Sequence, residues 1–192
     1  MRKSFKFLIT AFILHLSIVN CQFSYSQLPA EKCIDSTSAG KTLADFKMIS
    51  YAGDTINFYD LTEEIIVFDI WATWCGPCKA QAPIFDSLRT ALASEKIKFI
   101  SISIDKSYSK WKRFIKVDES TAEKNLKDHF WVGDSKEHLM FLLCHFISEV
   151  NGQQMIGTGV LQYVIIGKNH EIIMRDAPQP QRGKLDDVVK DL

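Results

Sequence analysis

Two cysteines stand where a buried strand is expected to give way to a helix, and this junction constrains the fold more than any other feature of the sequence. Ile65–Trp71, IIVFDIW, is an apolar run rich in β-branched and aromatic residues, which predicts a buried central strand. Cys75 and Cys78 follow shortly afterwards. Residues 78–94 keep apolar side chains at helical spacing, which predicts a helix kinked at Pro83. The sequence therefore predicts a strand and a helix joined at a pair of thiols.

Strands and helices alternate around this junction. A β-hairpin is predicted before it, from residues 43–50 and 55–58, and a second buried strand after it, at 97–104. A strand, a helix and a strand of these lengths form a right-handed crossover, which makes the two strands parallel. Further helices are predicted at 109–117, 135–150 and 184–192, and a closing hairpin at 163–166 and 171–175. The predicted fold class is α/β, with a mixed central β-sheet flanked by helices and an N-terminal β-hairpin extension.

Composition excludes several classes of protein. The chain has 192 residues, of which 23 are basic and 23 acidic, so it lacks the positive surplus that a nucleic-acid partner would require. Only 9 Gly and 5 Pro argue against a collagen-like or low-complexity chain. A hydrophobic fraction of 46% is that of an ordinary globular protein. No nucleic acid is therefore expected as a partner.

The N-terminus predicts a secretory signal peptide over residues 1–26. Three basic side chains precede an apolar run over residues 7–19, which is shorter than the roughly 20 residues of a transmembrane helix. Ser24 and Ser26 supply the small residues that a signal peptidase needs for cleavage after position 26. The alternatives are anchoring in the membrane, either through an uncleaved signal or through lipidation of Cys21. The sequence therefore predicts a periplasmic or cell-envelope protein.

Cleavage would leave a flexible lead at 27–41 and one domain at 42–192. The lead is rich in Ser, Thr and Ala, and the domain shows no internal repeat. Disulfides persist in an exported protein, but a domain of this length can bury a core without them. Of five cysteines, Cys21 leaves with the signal peptide, and the four that remain are too few to build a scaffold. The cysteines therefore indicate chemistry rather than architecture.

The Cys-Gly-Pro-Cys sequence assigns different roles to its two thiols. The positive end of the helix favours the thiolate of Cys75, which makes it the predicted nucleophile. Cys78, one turn inside the helix, is suited to resolving a mixed disulfide. A zinc site would need a second pair of ligands, and haem attachment would need His where Lys79 stands. An inert structural disulfide stays open as an alternative, and no metal or cofactor is predicted beyond the redox-active pair.

The stretch VFDIWATWCGPCKAQAP, residues 67–83, resembles the active-site segment of thioredoxin-fold oxidoreductases. The preceding hairpin, the segment FISISIDKSYSKWKRFI and the tail 159–180 are similar to exported TlpA/ResA-type thiol-disulfide oxidoreductases, in a form common in the Bacteroidetes. The resemblance covers residues 43–192. It implies a thioredoxin fold and an enzyme that reduces disulfides in client proteins, often in cytochrome c biogenesis. A membrane thiol-disulfide electron donor is the second implied partner, and the oligomeric state stays open.

The resemblance also implies which residues surround the thiols. Asp69 matches the buried acid of thioredoxins, which is held to accept the proton of the resolving cysteine. Burial raises the pKa of a carboxyl group toward neutrality, as a proton acceptor requires. Trp74, Gly76 and Pro77, beside the cysteines, are expected to contact clients, whereas Trp71 is expected in the core. The Gly-Pro dipeptide is that of thioredoxin, whose potential of roughly −270 mV favours reduction of clients.

The main departure from the resemblance lies in the loop before the third core strand. Relatives carry a cis-proline there that takes part in client binding, and the alignment places Leu161 at that position. A cis bond before a non-proline residue costs roughly 3–4 kcal/mol, so the Val160–Leu161 bond is predicted to be trans. Val160 and Leu161 are the predicted client-facing residues of this reshaped loop. The departure leaves open a redox-inactive envelope binding protein.

The sequence also bears on a second enzyme activity and on the remaining Cys, Trp and His residues. A thiol peroxidase shares a related fold but needs a lone peroxidatic cysteine within a Pro and Thr motif that this sequence lacks. Cys144 is expected to be a buried inert thiol, with a Cys33–Cys144 disulfide as the alternative. Trp131 is interpreted as a loop anchor. The remaining histidines are interpreted as surface or capping residues: His129, His138, His145 and His170.

Overall fold

A seven-stranded sheet forms the centre of the molecule. The computed structural model describes residues 38–94, 96–117, 123–134, 140, 143–150, 153–180 and 184–192. The sheet contains β1 (Lys47–Ser50), β2 (Thr55–Asn57), β3 (Ile65–Trp71), β4 (Ile97–Ser103), β5 (His129–Trp131), β8 (Gln162–Ile166) and β9 (Ile172–Met174), in the order β2-β1-β5-β4-β3-β8-β9. A separate antiparallel pair is formed by β6 (His145–Val150) and β7 (Gln153–Thr158).

Helices cover the sheet and short helical turns join its strands. The α-helices are α1 (Gly76–Leu92), α2 (Tyr108–Val117) and α3 (Lys184–Lys190). Short 3-10 helices lie at Phe58–Asp60, Glu123–Asp128 and Lys168–His170. In the part of the chain that the structure describes, no helix is long and apolar enough to cross a membrane.

The sheet is mixed, as the sequence predicted. β3 runs parallel to β4 and β4 parallel to β5, whereas β8 pairs with β3 and β9 in the antiparallel sense. The predicted hairpin is β1–β2, and β1 joins the sheet by antiparallel pairing with β5. The crossover from β3 to β4 passes through α1, which brings the start of α1 to the carboxyl end of both strands. The predicted α/β class with an N-terminal hairpin is confirmed.

The alternation of side chains along β3 supplies both faces of the sheet with core residues. Ile66, Phe68 and Ile70 point to one face, where Phe58 and Leu143 pack against them. The opposite face holds Val67, and it is covered by α1 and α3 through fully buried side chains: Phe85, Leu185 and Val189. Burying an apolar side chain of this size contributes roughly 1.5–3 kcal/mol. Asp69 lies two residues after Val67 in the strand, so its side chain points to the same face of the sheet, the one covered by α1.

One predicted helix is wrong over its last six residues. Residues 135–150 were expected to be helical, but His145–Val150 is strand β6, paired with β7 from Val150 opposite Gln153 to His145 opposite Thr158. The segment HFISEV is rich in β-branched and aromatic residues, and the sequence Asn-Gly at 151–152 favours a tight hairpin. Cross-strand pairing therefore outweighs the helical apolar spacing, which continues after Leu143 through Phe146, Ile147 and Val150.

Trp131 lies at the end of a strand, and from there it anchors a neighbouring loop. Trp131 is the last residue of β5 and pairs with Ser103 of β4 and Ile49 of β1. Its indole nitrogen donates to the main-chain oxygen of Asp105 at 2.6 Å.

The expected signal peptide and Cys33 lie outside the described residues, as does most of the expected lead, so export and the domain boundaries stay predictions.

Candidate active site

Cys75 and Cys78 lie at the junction that the sequence indicates, between the end of β3 and the start of α1. Cys75 is the residue that caps α1, and its Sγ accepts a hydrogen bond from the main-chain nitrogen of Cys78 at 3.1 Å. The two cysteines form a disulfide with their Cα atoms 5.3 Å apart. Gly76 and Pro77 occupy the first turn of α1, where a proline costs no hydrogen bond because the first main-chain N–H groups have no partner within the helix.

The disulfide is mostly covered, and its covering is aromatic. Cys75 is 6% exposed and Cys78 is 3% exposed. They pack in one cluster with Trp71 and Trp111, both of which are buried. Trp74, by contrast, is 67% exposed, which makes it the most exposed of the large apolar side chains in the described residues. Trp71 therefore lies in the core and Trp74 at the surface, as the sequence predicted.

The client-facing residues expected from the resemblance surround the disulfide in two groups. Gly76 and Pro77 are exposed on one side of the thiols. Val160 and Leu161 are half-buried and pack against the cluster that contains Cys75 and Cys78. The structure thus brings the four residues to one end of the sheet, together with Trp74. Whether they contact clients stays a prediction.

The loop that carries Cys75 is held in place by a carboxylate at the end of β4. Asp105 accepts hydrogen bonds from the main-chain nitrogen of Thr73 at 2.9 Å and from the Thr73 hydroxyl at 2.7 Å. A third bond comes from the hydroxyl of Ser103 at 2.7 Å. Because β3 and β4 are parallel, their carboxyl ends meet at the same edge of the sheet, which places Asp105 beside the loop. Sequence reasoning missed Asp105, although an acid directly after a buried parallel strand marks this edge.

Replacing Asp105 by Ala is expected to lower the free energy of unfolding by about 2–4 kcal/mol, because two part-buried donors of Thr73 and the buried hydroxyl of Ser103 lose their acceptor. Urea denaturation of the oxidised protein measures the change. Asp191→Ala, which removes an exposed carboxyl far along the chain, is the control and is expected to change little. Equal stability of the Asp105→Ala variant and the wild type would show that the loop keeps its form without the carboxylate.

A row of polar side chains crosses four central strands beneath α1. Asp69 of β3 pairs in register with Tyr163 of β8 on one side and with Ser101 of β4 on the other, and Ser101 pairs with His129 of β5. All four residues are buried. Arg89 of α1 lies over this row and binds two of its members, Ser101 at 2.8 Å and His129 at 3.1 Å. The interpretation of His129 as a surface residue is therefore wrong.

Asp69 carries the proton affinity expected of a buried acid. The side chain is 5% exposed, and burial raises the pKa of its carboxyl group to about 7, while Arg89 and Ser101 oppose the rise and Asp86 adds to it. Oδ2 of Asp69 accepts a hydrogen bond from the Ser101 hydroxyl at 3.4 Å. The expected burial is confirmed, and the carboxyl group is about half ionised near neutral pH. Its role as the base for Cys78 stays a prediction.

The loop that carries Val160 and Leu161 has an unusual backbone conformation. No cis peptide bond occurs in the described ranges, so the Val160–Leu161 bond is trans, as predicted. Leu161 has a φ of 80°, in the left-handed region that favours glycine. Its main-chain nitrogen donates to the oxygen of Ile70 at 3.3 Å, which ties the loop to the end of β3.

Replacing Leu161 by Pro, the residue that the resemblance implies here, is expected to destabilise the protein by more than about 2 kcal/mol. Proline fixes φ near −65° and cannot donate the hydrogen bond to Ile70. Urea denaturation of the oxidised protein measures the loss. Leu161→Gly, which accepts a positive φ and keeps the donor, is the control and is expected to cost less. A proline variant as stable as the wild type would mean that the loop rearranges freely.

The other candidates from the sequence do not join the site. Cys144 is a buried free thiol, and burial raises its pKa to about 12, as expected for an inert group. His170 stacks on Tyr59 with ring centres 4.1 Å apart. Among the described residues, no three or more His, Cys, Asp or Glu are grouped to hold a metal ion.

The fold and the cysteine pair define a thioredoxin-fold protein. Residues 39–141 match the AhpC/TSA family, which is more than half of the chain, and the protein belongs to that family. The thiol-disulfide oxidoreductase ResA of Oceanobacillus iheyensis is 33% identical over 70 residues, which are 34% of this chain and 36% of ResA. This relative agrees with the resemblance to TlpA/ResA-type proteins.

Solved structures confirm the fold over most of the chain. The thioredoxin domain of a thiol-disulfide oxidoreductase from Bacteroides vulgatus superposes with a TM-score of 0.62 at 14% identity, covering 80% of this chain and 96% of that domain. The exposed lipoprotein thioredoxin Etrx1 of Streptococcus pneumoniae gives a TM-score of 0.54 at 17% identity, covering 78% of this chain and all of that one. The chain spans about half the length of the curated thioredoxins that it matches.

Proposed function

We propose that this protein is an exported thiol-disulfide oxidoreductase that reduces disulfides in client proteins. The observation that carries the proposal is the Cys75–Cys78 disulfide, which lies at the N-terminus of α1 in a thioredoxin fold. Two features of the site support it further. Asp69, a buried acid with a pKa of about 7, lies on the sheet face beneath α1, and Trp74 offers an exposed aromatic surface beside the thiols.

Reduction of a client proceeds in two exchanges. The Cys75 thiolate attacks one sulfur of the client disulfide, which forms a mixed disulfide and releases the other client sulfur as a thiolate that takes up a proton. The Cys78 thiolate then attacks Sγ of Cys75. This step forms the Cys75–Cys78 disulfide and releases the second client thiolate, so two electrons pass to the client. A dithiol of a membrane electron donor reduces the pair again.

The positions of the two cysteines in α1 decide which of them attacks the client and which releases it. Cys75 caps α1, where the positive end of the helix dipole stabilises a thiolate. Cys78 lies inside the first turn, and its thiol must lose a proton before it can attack. Asp69 is suited to accept that proton and return it, because a carboxyl group with a pKa of about 7 changes its charge at working pH. Oδ2 of Asp69 accepts a hydrogen bond from Ser101, whereas its Oδ1 has no hydrogen-bond partner among the described residues.

The proposal that the protein is exported rests on its N-terminal segment. Basic residues followed by the apolar run 7–19 and small residues at Ser24 and Ser26 match a secretory signal. In the envelope the protein would meet both its clients and a membrane electron donor. Fractionation of cells that express the full chain, followed by N-terminal analysis of the product, tests this part: a mature chain beginning at Gln27 supports cleavage, and a lipid on Cys21 would support anchoring instead.

The experiment that tests the activity is a redox titration of the mature chain in dithiothreitol and glutathione buffers, followed by tryptophan fluorescence and thiol trapping. A reversible couple near roughly −270 mV supports a reductase, whereas one near −120 mV would indicate an oxidant. Cys144→Ala is the control, since its thiol lies outside the pair and should leave the titration unchanged. A disulfide that never titrates would favour the redox-inactive binding protein, and rapid consumption of hydrogen peroxide would favour a thiol peroxidase.

A further inference from the structure

We propose that Arg89 is a positioning residue that sets the proton affinity of Asp69 through Ser101, and thereby the pH range in which Cys78 can be deprotonated. The consequence for Cys78 rests on the proposed function. The effect on Asp69 does not, because a carboxyl titration needs no exchange reaction. Arg89 reaches the row of polar residues from α1, so the helix that carries the cysteines also carries the cation that faces their predicted base.

A directed chain of hydrogen bonds joins Arg89 to Asp69. Nη2 of Arg89 donates to Oγ of Ser101 at 2.8 Å, and Oγ of Ser101 lies 3.4 Å from Oδ2 of Asp69. Arginine has no acceptor, so the serine must accept from it. The single hydroxyl proton of Ser101 is therefore free to point at Asp69. Both donors favour a charged carboxylate at the end of the chain.

Arg89 is the cation of this cluster because the neighbouring imidazole must be neutral. Nη1 of Arg89 lies 3.1 Å from Nε2 of His129, and a guanidinium nitrogen can only donate, so Nε2 accepts and carries no proton. The ring is thus held in the neutral form with its proton on Nδ1. Burial lowers the pKa of His129 to about 3, with Arg89 acting in the same direction. An arginine stays protonated throughout the range of protein stability.

The other titratable groups around Asp69 come from three elements. Tyr163 of β8 is neutral, because burial and the nearby Asp69 raise the pKa of its hydroxyl. Asp86 of α1 accepts from Nη1 of Arg89 at 2.8 Å, and its negative charge raises the pKa of Asp69. Asp128, at the end of the 3-10 helix before β5, also faces Arg89. Asp86 and Asp128 thus share Arg89 with Asp69, and removing the guanidinium leaves Asp69 beside the like charge of Asp86.

The direction in which the pKa of Asp69 changes when Arg89 is removed distinguishes a role by charge from a role in packing. If Arg89 acts on Asp69 by charge, its removal raises the pKa of the Asp69 carboxyl group, because the cation is lost and Asp86 stays. If Arg89 only fills space, its removal lets water reach Asp69 and lowers the pKa toward the ordinary value of 3.8. The two roles therefore move the same quantity in opposite directions.

The test is a titration of the Asp69 carboxyl carbon by NMR in the oxidised full-length protein, with the signal assigned by its loss in Asp69→Asn. Arg89→Met is expected to raise the midpoint by at least about one pH unit, and Arg89→Lys is expected to restore most of the wild-type value. Lys98→Met is the control: it also removes one positive charge from this region, but that charge is paired with Glu63 at 2.8 Å and should leave Asp69 unchanged.

Ser101→Ala keeps the test decisive if Arg89→Met does not fold. It removes the bridge while all charges stay, and a smaller rise in the same direction is expected. A midpoint that falls or stays in place in both variants would overturn the proposal. In the reduced protein, the pH profile of Cys78 alkylation should shift in parallel with Asp69. A wild type without any thiol exchange would defeat the proposed function, whereas the carboxyl titration would still decide the role of Arg89.

Discussion

A protein with Ser in place of Cys75 is expected to reduce no client disulfide beyond the rate of the dithiol donor alone. The hydroxyl at the N-terminus of α1 would not form the thiolate that attacks the client, so the mixed disulfide never forms. Cys78→Ser is expected to behave differently. Cys75 still attacks, but no second thiol releases the client, and the mixed disulfide accumulates. Turnover of insulin disulfides and the mass of the trapped adduct measure the two outcomes.

The comparison of the two variants separates the roles of the two sulfurs. Either substitution removes the Cys75–Cys78 disulfide, so both variants share any loss of stability from the missing bond. A difference in trapping therefore reports on chemistry alone. An adduct formed by the Cys75→Ser variant and absent from the Cys78→Ser variant would reverse the assignment, and absence of adducts from both would count against attack on clients.

The elements around the cysteines could be predicted because their signals are local. β3 spans Ile65–Trp71 as expected, since an apolar run of that length, broken only by Asp69 and flanked by polar residues, has few alternatives to a buried strand. The helix was predicted to begin at Cys78, but α1 begins earlier, at Gly76, because the Gly-Pro dipeptide suits the first turn of a helix. The buried Asp69 could be expected because it interrupts an apolar strand and matches a known position in relatives.

The row of polar residues could not be predicted, because long-range registers create it. Ser101 alternates with apolar residues in β4, and Arg89 lies on a helix whose other buried positions are both apolar and polar: Cys78, Gln81, Phe85 and Asp86. Nothing local shows that both meet His129, which comes from a strand far along the chain. The pair Asp86 and Arg89, three residues apart on one helix, was the available signal, since a buried arginine needs a counterion. The failure at β6 has a similar cause, as pairing with β7 decided its structure.

Two buried groups of this cluster, Asp69 and His129, are expected to change the free energy of unfolding with pH in opposite directions. Burial raises the pKa of Asp69 to about 7 from an ordinary 3.8, so between these values the folded protein binds more protons than the unfolded chain. Its contribution to stability is therefore full at low pH and is lost as the pH rises to 7. The loss amounts to about 4 kcal/mol.

His129 acts with the reverse sign. Burial lowers its pKa to about 3 from 6.5, so between these values the unfolded chain binds more protons. Stability from this residue is therefore full above pH 6.5 and is lost as the pH falls toward 3, again by about 4–5 kcal/mol. Between about pH 4 and 6.5 the two contributions nearly cancel. The wild type should show little change in that window and a decline as Asp69 ionises above it.

Replacing Asp69 by Asn is expected to expose the contribution of His129. The variant should gain stability from pH 4 to 6.5, stay level above, and exceed the wild type by about 2–4 kcal/mol at pH 8. Urea unfolding of the oxidised proteins at pH 4.5, 6 and 8 measures this, with the exposed Asp191→Asn as control. Curves that run parallel at all three values would show that Asp69 is not the titrating group.

The same substitution is expected to slow the release of clients from Cys75 by about a hundredfold at pH 7, because Cys78 loses its proton acceptor. Single-turnover decay of a mixed disulfide formed on reduced protein measures that step. A variant that is more stable and slower would show that the ionised carboxyl group is kept in the core at a cost in stability for the exchange reaction. If the variant is more stable and equally fast, the acid serves neither folding nor release, and the Cys78 proton must leave by another route.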